Sequence, residues 1–112
     1  MNNLKKDREF QIIYNSGRKS FGYYSLIFFK RNDNNLKRCG FVVSKKTGNA
    51  VCRNRLKRLF REYYRQYEEN IKDGYDIIFV AKRTAGEKIK ELKFIDIEKD
   101  LNKVLKNVKI FK

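Results

Sequence analysis

The sequence predicts an α+β sandwich, with helices packed on a small sheet in the order α-β-β-α-β-α. Three observations support it. Apolar residues recur at helical spacing in three segments, and β-branched and aromatic residues concentrate in three short runs between them. The length of 112 residues suits one compact domain, residues 1–112, and is too short for two.

The elements follow in order. Residues 4–16, "LKKDREFQIIYNS", put Phe10, Ile13 and Tyr14 on one helical face, with Gly17 as the stop. "FGYYSLIFFKR" (21–31) suits a strand, "NDNNLK" (32–37) a turn, and "RCGFVVSK" (38–45) a second strand, so the pair predicts a hairpin. Its nearly continuous apolar runs imply a sheet covered on both faces over part of its area. "TGN" reads as a loop before a long helix over 50–71. "GYDIIFVAK" (74–82) is a third strand, and "RTAGE" a turn. A closing helix over 87–107 carries Ile89, Leu92, Ile97, Leu101, Val104 and Leu105 at helical spacing.

The bulk numbers narrow the function. With 41% hydrophobic residues, 9 Phe and 7 Tyr, the chain has the content of a folded protein despite 37% charged residues. Its 28 Lys and Arg against 13 Asp and Glu give a net charge of +15, and polyanions are the natural partner of so large a surplus. No apolar run approaches the ~20 residues of a spanning helix, and no signal or lipidation motif precedes the fold. Cys39 and Cys52 are too few for a four-ligand zinc site and read as reduced, structural thiols of a cytoplasmic protein. Without histidine the chain lacks the commonest general base and metal ligand.

"KKTGNAVCRNRLKRLFREYYR" (45–65) carries the strongest signal. At about 100° per residue, Cys52, Leu56, Leu59, Phe60, Tyr63 and Tyr67 fall within one arc of roughly 100°, the width of a buried stripe. Arg53, Asn54, Lys57, Arg58, Arg61 and Arg65 occupy a second arc, nearly opposite, with Glu62 and Arg55 beyond its edge. Solvated faces usually alternate signs at i, i+4, whereas Arg53, Lys57, Arg61 and Arg65 form an unbroken like-charged row. Such a row costs about 0.2–0.5 kcal/mol per adjacent pair, and phosphate binding is the offset it points to, ahead of an idle surface, a localisation signal or a membrane-facing role. Arginine enrichment favours nucleic acid, because guanidinium forks onto phosphate and stacks on bases. Lys45 and Lys46 lead into the helix, Gly48 lets backbone amides approach a ligand, and the helix N-terminus adds partial positive charge.

The same stretch resembles the signature of the bacterial ribonuclease P protein family, an Arg-Asn-Arg core flanked by basic residues. Ser44-Lys45-Lys46, Gly48-Asn49-Ala50-Val51 and Arg53-Asn54-Arg55 stand in register, followed by Lys57-Arg58 and Arg61. The likeness extends along the chain through its size, its element order, Phe10 and Tyr14 on the first helix, and the "DIIFVAKR" strand. It implies a ribosomal-protein-like sandwich with a mixed sheet, in which a left-handed crossover joins parallel strands through the basic helix. It also implies a cytoplasmic subunit, monomeric alone, that binds a large catalytic RNA and assists removal of the 5′ leader from precursor tRNA. Catalysis would rest with the RNA and its Mg2+, with no catalytic residue, metal site or organic cofactor on the protein. By position, Lys45, Lys46, Arg53, Asn54, Arg55, Lys57, Arg58 and Arg61 would face the RNA, joined by Arg65 from the charged row. Phe10, Tyr14 and Phe28 would line a leader-binding cleft, where aromatic faces accept unpaired bases. Only Lys5, Lys6 and Arg8 precede Phe10 as basic residues, and no long basic tail follows, so fewer peripheral RNA contacts are expected.

Two other classes fit the composition. A stand-alone RNA-binding module shares the charge and element order but not the motif in register. A metal-dependent nuclease would draw ligands from Asp33, Asp73, Asp76, Asp96 and Asp100, none of them in a recognisable metal motif.

Overall fold

The computed structural model describes residues 2–112. Its strands are β1 (Asn2–Asn3), β2 (Arg18–Phe21), β3 (Ser25–Arg31), β4 (Lys37–Val42) and β5 (Tyr75–Ala81). Helix α1 (Asp7–Ser16) follows β1, α2 (Ala50–Tyr67) joins β4 to β5, and α3 (Arg83–Glu87) and α4 (Phe94–Asn107) close the chain. The strands form one mixed sheet in the order β1-β4-β5-β3-β2. Helices α2 and α4 pack on one face, while α1 lies on β3 and β5 from the other.

The central place of β5 follows from its sequence. Ile77, Ile78 and Phe79 are consecutive and all buried, so both of its faces require cover. Ile77 and Phe79 join the main core with Ile27, Phe29, Leu56, Phe60 and Leu101, and Ile78 joins a smaller core under α1 with Leu4 and Ile13.

This placement overturns the predicted hairpin. Strands β3 and β4 do not pair, because β5 runs between them, antiparallel to β3 and parallel to β4. Gly74, at φ 87°, accepts from Asn32 N–H at 2.8 Å and donates to the Leu36 carbonyl at 3.1 Å. Residues 32–36 therefore step across the start of β5, a span of about 10 Å for a strand inserted between two others. The parallel β4-α2-β5 unit is the connection through the basic helix that the family resemblance implies.

The predicted 21–31 strand begins only at Ser25, and Phe21 ends a separate strand, β2, that starts at Arg18. Arg18↔Phe29 through Phe21↔Leu26 pair in antiparallel register around a turn at Gly22. Asp100, on α4, holds that turn by accepting from Tyr23 N–H at 2.7 Å, Tyr24 N–H at 3.0 Å and the Ser25 hydroxyl at 2.7 Å. Its partner lies more than seventy residues away, which local pattern does not reveal. The 38–45 strand ends at Val42, and the long basic helix ends at Tyr67 before a 3-10 turn, Glu68–Asn70. "RTAGE" is helix α3 itself, and Ile89 and Leu92 sit in the irregular linker before α4. The spacing of Ile97, Leu101, Val104 and Leu105 holds, and all four are fully buried.

One polar network ties α1 to the sheet. Buried Asp76 receives Arg38 Nε at 2.8 Å, Arg38 Nη2 at 2.6 Å and Asn32 Nδ2 at 2.9 Å, while Arg38 Nη1 reaches Glu9 at 2.7 Å. The Asp76 hydrogen bond, ahead of the neighbouring negative charges, raises the Arg38 pKa further.

Candidate nucleic-acid interface

Helix α2 begins where a good cap stands: Asn49 Oδ1 accepts from Cys52 N–H at 2.9 Å. Its buried stripe is Cys52, Leu56, Phe60 and Tyr63, as the spacing predicts. Tyr64 is buried as well, whereas Leu59 and Tyr67 are half-buried. Both thiols are free and buried, and burial pushes the Cys39 thiol up to about 12.

The approach to α2 is a 3-10 turn, Lys45–Thr47, that exposes Lys45 and Lys46 and buries Thr47. Helix α3 fixes this turn from below. A Cβ on Gly86 would stand 1.8 Å from the Thr47 carbonyl oxygen, so only glycine permits the contact. A Cβ on Gly48 would meet Cys52 Sγ at 2.7 Å, so this glycine lets the loop pack closely on α2.

The predicted RNA-facing residues divide into groups. Asn54, Lys57, Arg58, Arg61 and Arg65 line one hollow of about 560 Å³ with Glu62. Within it Arg65 pairs with Glu62, which also accepts from Gln66 Nε2, so the positive row is partly neutralised at its C-terminal end. Arg53 and Arg55 are engaged elsewhere. Arg53 Nη1 donates to the Gly48 carbonyl at 2.8 Å, and Arg55 Nη2 donates to the Leu92 carbonyl at 2.9 Å. Arg55 thereby clips α2 to the linker ahead of α4, in keeping with its place beyond the edge of the charged arc.

Phe10, Tyr14 and Phe28 do come together. Ring centroids lie 6.4 Å apart for Phe10–Tyr14 and 4.8 Å for Tyr14–Phe28, the latter edge to face. All three are half-buried around the smaller core, and burial raises the Tyr14 hydroxyl pKa. Strand β2 adds a residue that sequence reasoning missed: Lys19 pairs across from Phe28, and its Nζ stands 5.2 Å from that ring's centroid. The β2–β3 hairpin register, had it been read, places that lysine there.

The cationic and aromatic regions meet. Arg61 reaches over the Phe41 ring at 5.9 Å and shares a hollow of about 180 Å³ with Phe10, Asn3 and Gly40. Phe10 in turn shares an adjoining hollow with Tyr14 and Val42. Arg61 and Phe10 thus connect the basic face of α2 to the aromatic cleft under α1, around the β1–β4 edge.

Four of the five candidate aspartates have partners within the protein. Asp76 holds Arg38, Asp96 caps α4 through Lys93 N–H at 2.8 Å, Asp100 holds the β2–β3 turn, and Asp73 lies 3.7 Å from Lys37. Among the described residues no three Cys, Asp or Glu side chains form a metal-binding group, and no helix is long and apolar enough to cross a membrane.

Fold and surface together define a small basic α/β sandwich that presents a cationic helix beside an aromatic cleft. The model of the Ribonuclease P family matches residues 1–109. The chain is 62% identical to the ribonuclease P protein component of Fusobacterium nucleatum, over 98% of this chain and 99% of that one. It is 39% identical to that of Clostridioides difficile, over 96% of this chain and 91% of the other. Among solved structures, the RNase P protein of Thermotoga maritima superposes with TM-score 0.87 at 30% identity, covering 96% of this chain and 97% of that one. The Staphylococcus aureus RNase P protein gives 0.86 at 32% identity, covering 100% and 99%. The chain belongs to the ribonuclease P protein family, the protein components of the endoribonuclease that matures tRNA 5′ ends.

Proposed function

We propose that residues 1–112 act as one domain that grips the catalytic RNA with α2 and the 5′ leader of precursor tRNA with the α1 cleft. The observation that carries this reading is the continuity of the two surfaces through Arg61 and Phe10. A single strand leaving a structured RNA can pass from phosphate contacts to aromatic stacking without crossing an apolar or acidic barrier. Lys45, Lys46, Asn54, Lys57, Arg58 and Arg61 supply the phosphate contacts, and Arg65 joins them when it leaves Glu62. Arg53 and Arg55 act mainly by holding the Gly48 loop and the α4 linker in place. Phe10, Tyr14 and Phe28 take unpaired bases, whose π-faces are common to all sequences.

The catalytic groups and Mg2+ belong to the RNA. The engagement of Asp76, Asp96 and Asp100 in structural contacts supports this, since it occupies three of the carboxylates that metal-assisted hydrolysis would draw on. The protein works as a cytoplasmic monomer that joins the RNA, positions the leader and lowers the Mg2+ demand of the assembly. Reconstitution tests the reading. Catalytic RNA with protein should cleave precursor tRNA at low Mg2+, RNA alone should need more Mg2+, and protein alone should be inactive. Substantial cleavage by the RNA-free protein overturns it.

A further inference from the structure

Past the last turn of α2 lies a feature that neither surface uses. Tyr63, Tyr67 and Phe111 form a run of near-parallel rings, with centroids 4.6 Å apart at 23° and then 6.1 Å apart at 17°. The inner ring is buried and the outer two are half-buried, so the stack emerges in a hollow of about 590 Å³. This hollow shares no lining residue with the basic face or the cleft. Tyr67 begins about 21 Å along the helix from Arg53, at 1.5 Å per residue.

The stack is held in place. Tyr63 donates to Asn102 Oδ1 at 2.7 Å and Tyr67 donates to Glu98 Oε2 at 2.6 Å, so neither ring is free to swing. Asn102 Nδ2 has only a long 3.5 Å contact to the Tyr67 hydroxyl, which leaves an amide donor for a ligand. Lys72, Lys106 and Lys109 border the hollow, all exposed and none in an ion pair among the described residues. Glu98 is the carboxylate in contact with the stack, and Tyr67 already occupies it.

Lys109 adds an independent sign. It follows α4 at φ 60°, the left-handed conformation that glycine adopts at helix ends without penalty. A lysine there is less favourable than a glycine, and its exposed side chain returns no packing. A charge kept at a strained position beside an aromatic hollow points to an anionic, ring-bearing ligand.

We propose that this hollow is a third RNA-contacting surface, which takes one unpaired nucleotide of a single strand. The base packs against the outer rings, Asn102 donates to it, and the lysines flank its phosphates. An acidic peptide would use the lysines and leave the rings idle, and an apolar ligand would do the reverse. With this site the protein holds an unpaired nucleotide in addition to the segments on α2 and in the cleft.

The test is an amide chemical-shift titration of the 15N-labelled full chain with pentauridylate, and separately with inorganic phosphate. Pentauridylate should shift Asn70, Lys72, Asn102 and Phe111, apart from any response at Phe10, Tyr14 and Arg61. The Lys106→Ala/Lys109→Gly double variant should weaken the response of the first set and spare the second. Its salt dependence at the hollow should flatten by about 1.4 units of slope for two lost single-strand phosphate contacts. Lys109→Gly relieves the left-handed strain, so the double variant keeps its Tm and a misfolded protein cannot mimic the loss. Phe111→Ala should weaken pentauridylate while leaving phosphate unchanged. The proposal is overturned if the hollow's amides stay silent while the cleft saturates, if the double variant leaves their shifts intact, or if phosphate alone reproduces them in full. Failure of the α2 and cleft reading would appear at the other set of amides, so the two are told apart.

Discussion

Gly40→Ala tests whether the sheet sets the shape of the aromatic cleft. A Cβ at Gly40 would stand 2.6 Å from Phe10 Cζ and 2.7 Å from Cε1, against the roughly 3.5–4.0 Å at which carbon atoms settle. The Phe10 ring must then move outward by about 1 Å. It has room, because it lines the open hollow shared with Arg61. Overpacking costs about 1–3 kcal/mol, and loss of glycine freedom in the unfolded chain returns about 0.4–1 kcal/mol. The net cost of about 1–2 kcal/mol lowers Tm by roughly 5–10 °C in a protein of this size. A base stacked on an aromatic ring is worth about 1–3 kcal/mol, so partial loss at one ring weakens leader binding by about 1 kcal/mol, or about fivefold. The assay compares the affinity of the reconstituted holoenzyme for precursor tRNA and for mature tRNA lacking the leader. Preference for the precursor should fall about fivefold while mature tRNA binds as before. An unchanged preference, with Tm lowered as expected, refutes the placement of Phe10 against the leader; an unchanged Tm refutes the packing argument itself.

Further outcomes follow from individual contacts. Arg58→Ala should weaken RNA binding and reduce its salt slope by about 0.9, one duplex phosphate contact, whereas Arg55→Ala should lower Tm and leave the slope unchanged because its guanidinium serves the Leu92 carbonyl. Equal slope changes for the two would show that Arg55 leaves that carbonyl for RNA. Arg38→Ala strands buried Asp76 with Asn32 as its remaining side-chain partner, and should cost about 3–5 kcal/mol in urea unfolding. A loss below about 1 kcal/mol would mean that Asp76 is reached by water. Glu9 accepts from Lys5 and Lys6 N–H and then feels Arg38, which together hold its carboxyl below the usual range. A depressed folded pKa makes its contribution complete above the ordinary glutamate value of about 4.3 and lost as pH falls through the folded value. Glu9→Gln should therefore lose less stability than the parent on acidification below about pH 4.3, as read by Tm against pH.

Much of the fold and its surfaces was legible in the chain itself. The period of 3.6 fixes which side of α2 is buried, so Cys52, Leu56, Phe60 and Tyr63 and the opposing Arg58 and Arg61 could be sorted without coordinates. Phe10 and Tyr14 share a helical face for the same reason. Tertiary structure decided what periodicity cannot carry, because strand pairing and side-chain partners depend on residues distant in sequence. The apolar run of β5 marked a strand, yet only closure of the β4-α2-β5 unit put it between β3 and β4 and buried both its faces. The break at Gly22 needed Asp100 from the last helix. Arg53 and Arg55 carry the same charge as Arg58, and nothing local distinguishes them until Gly48 and Leu92 present carbonyls within reach. The chain thus set the chemistry of both surfaces by itself. Their junction at Arg61 and Phe10 exists only because the β1–β4 edge brings the two faces of the sheet together.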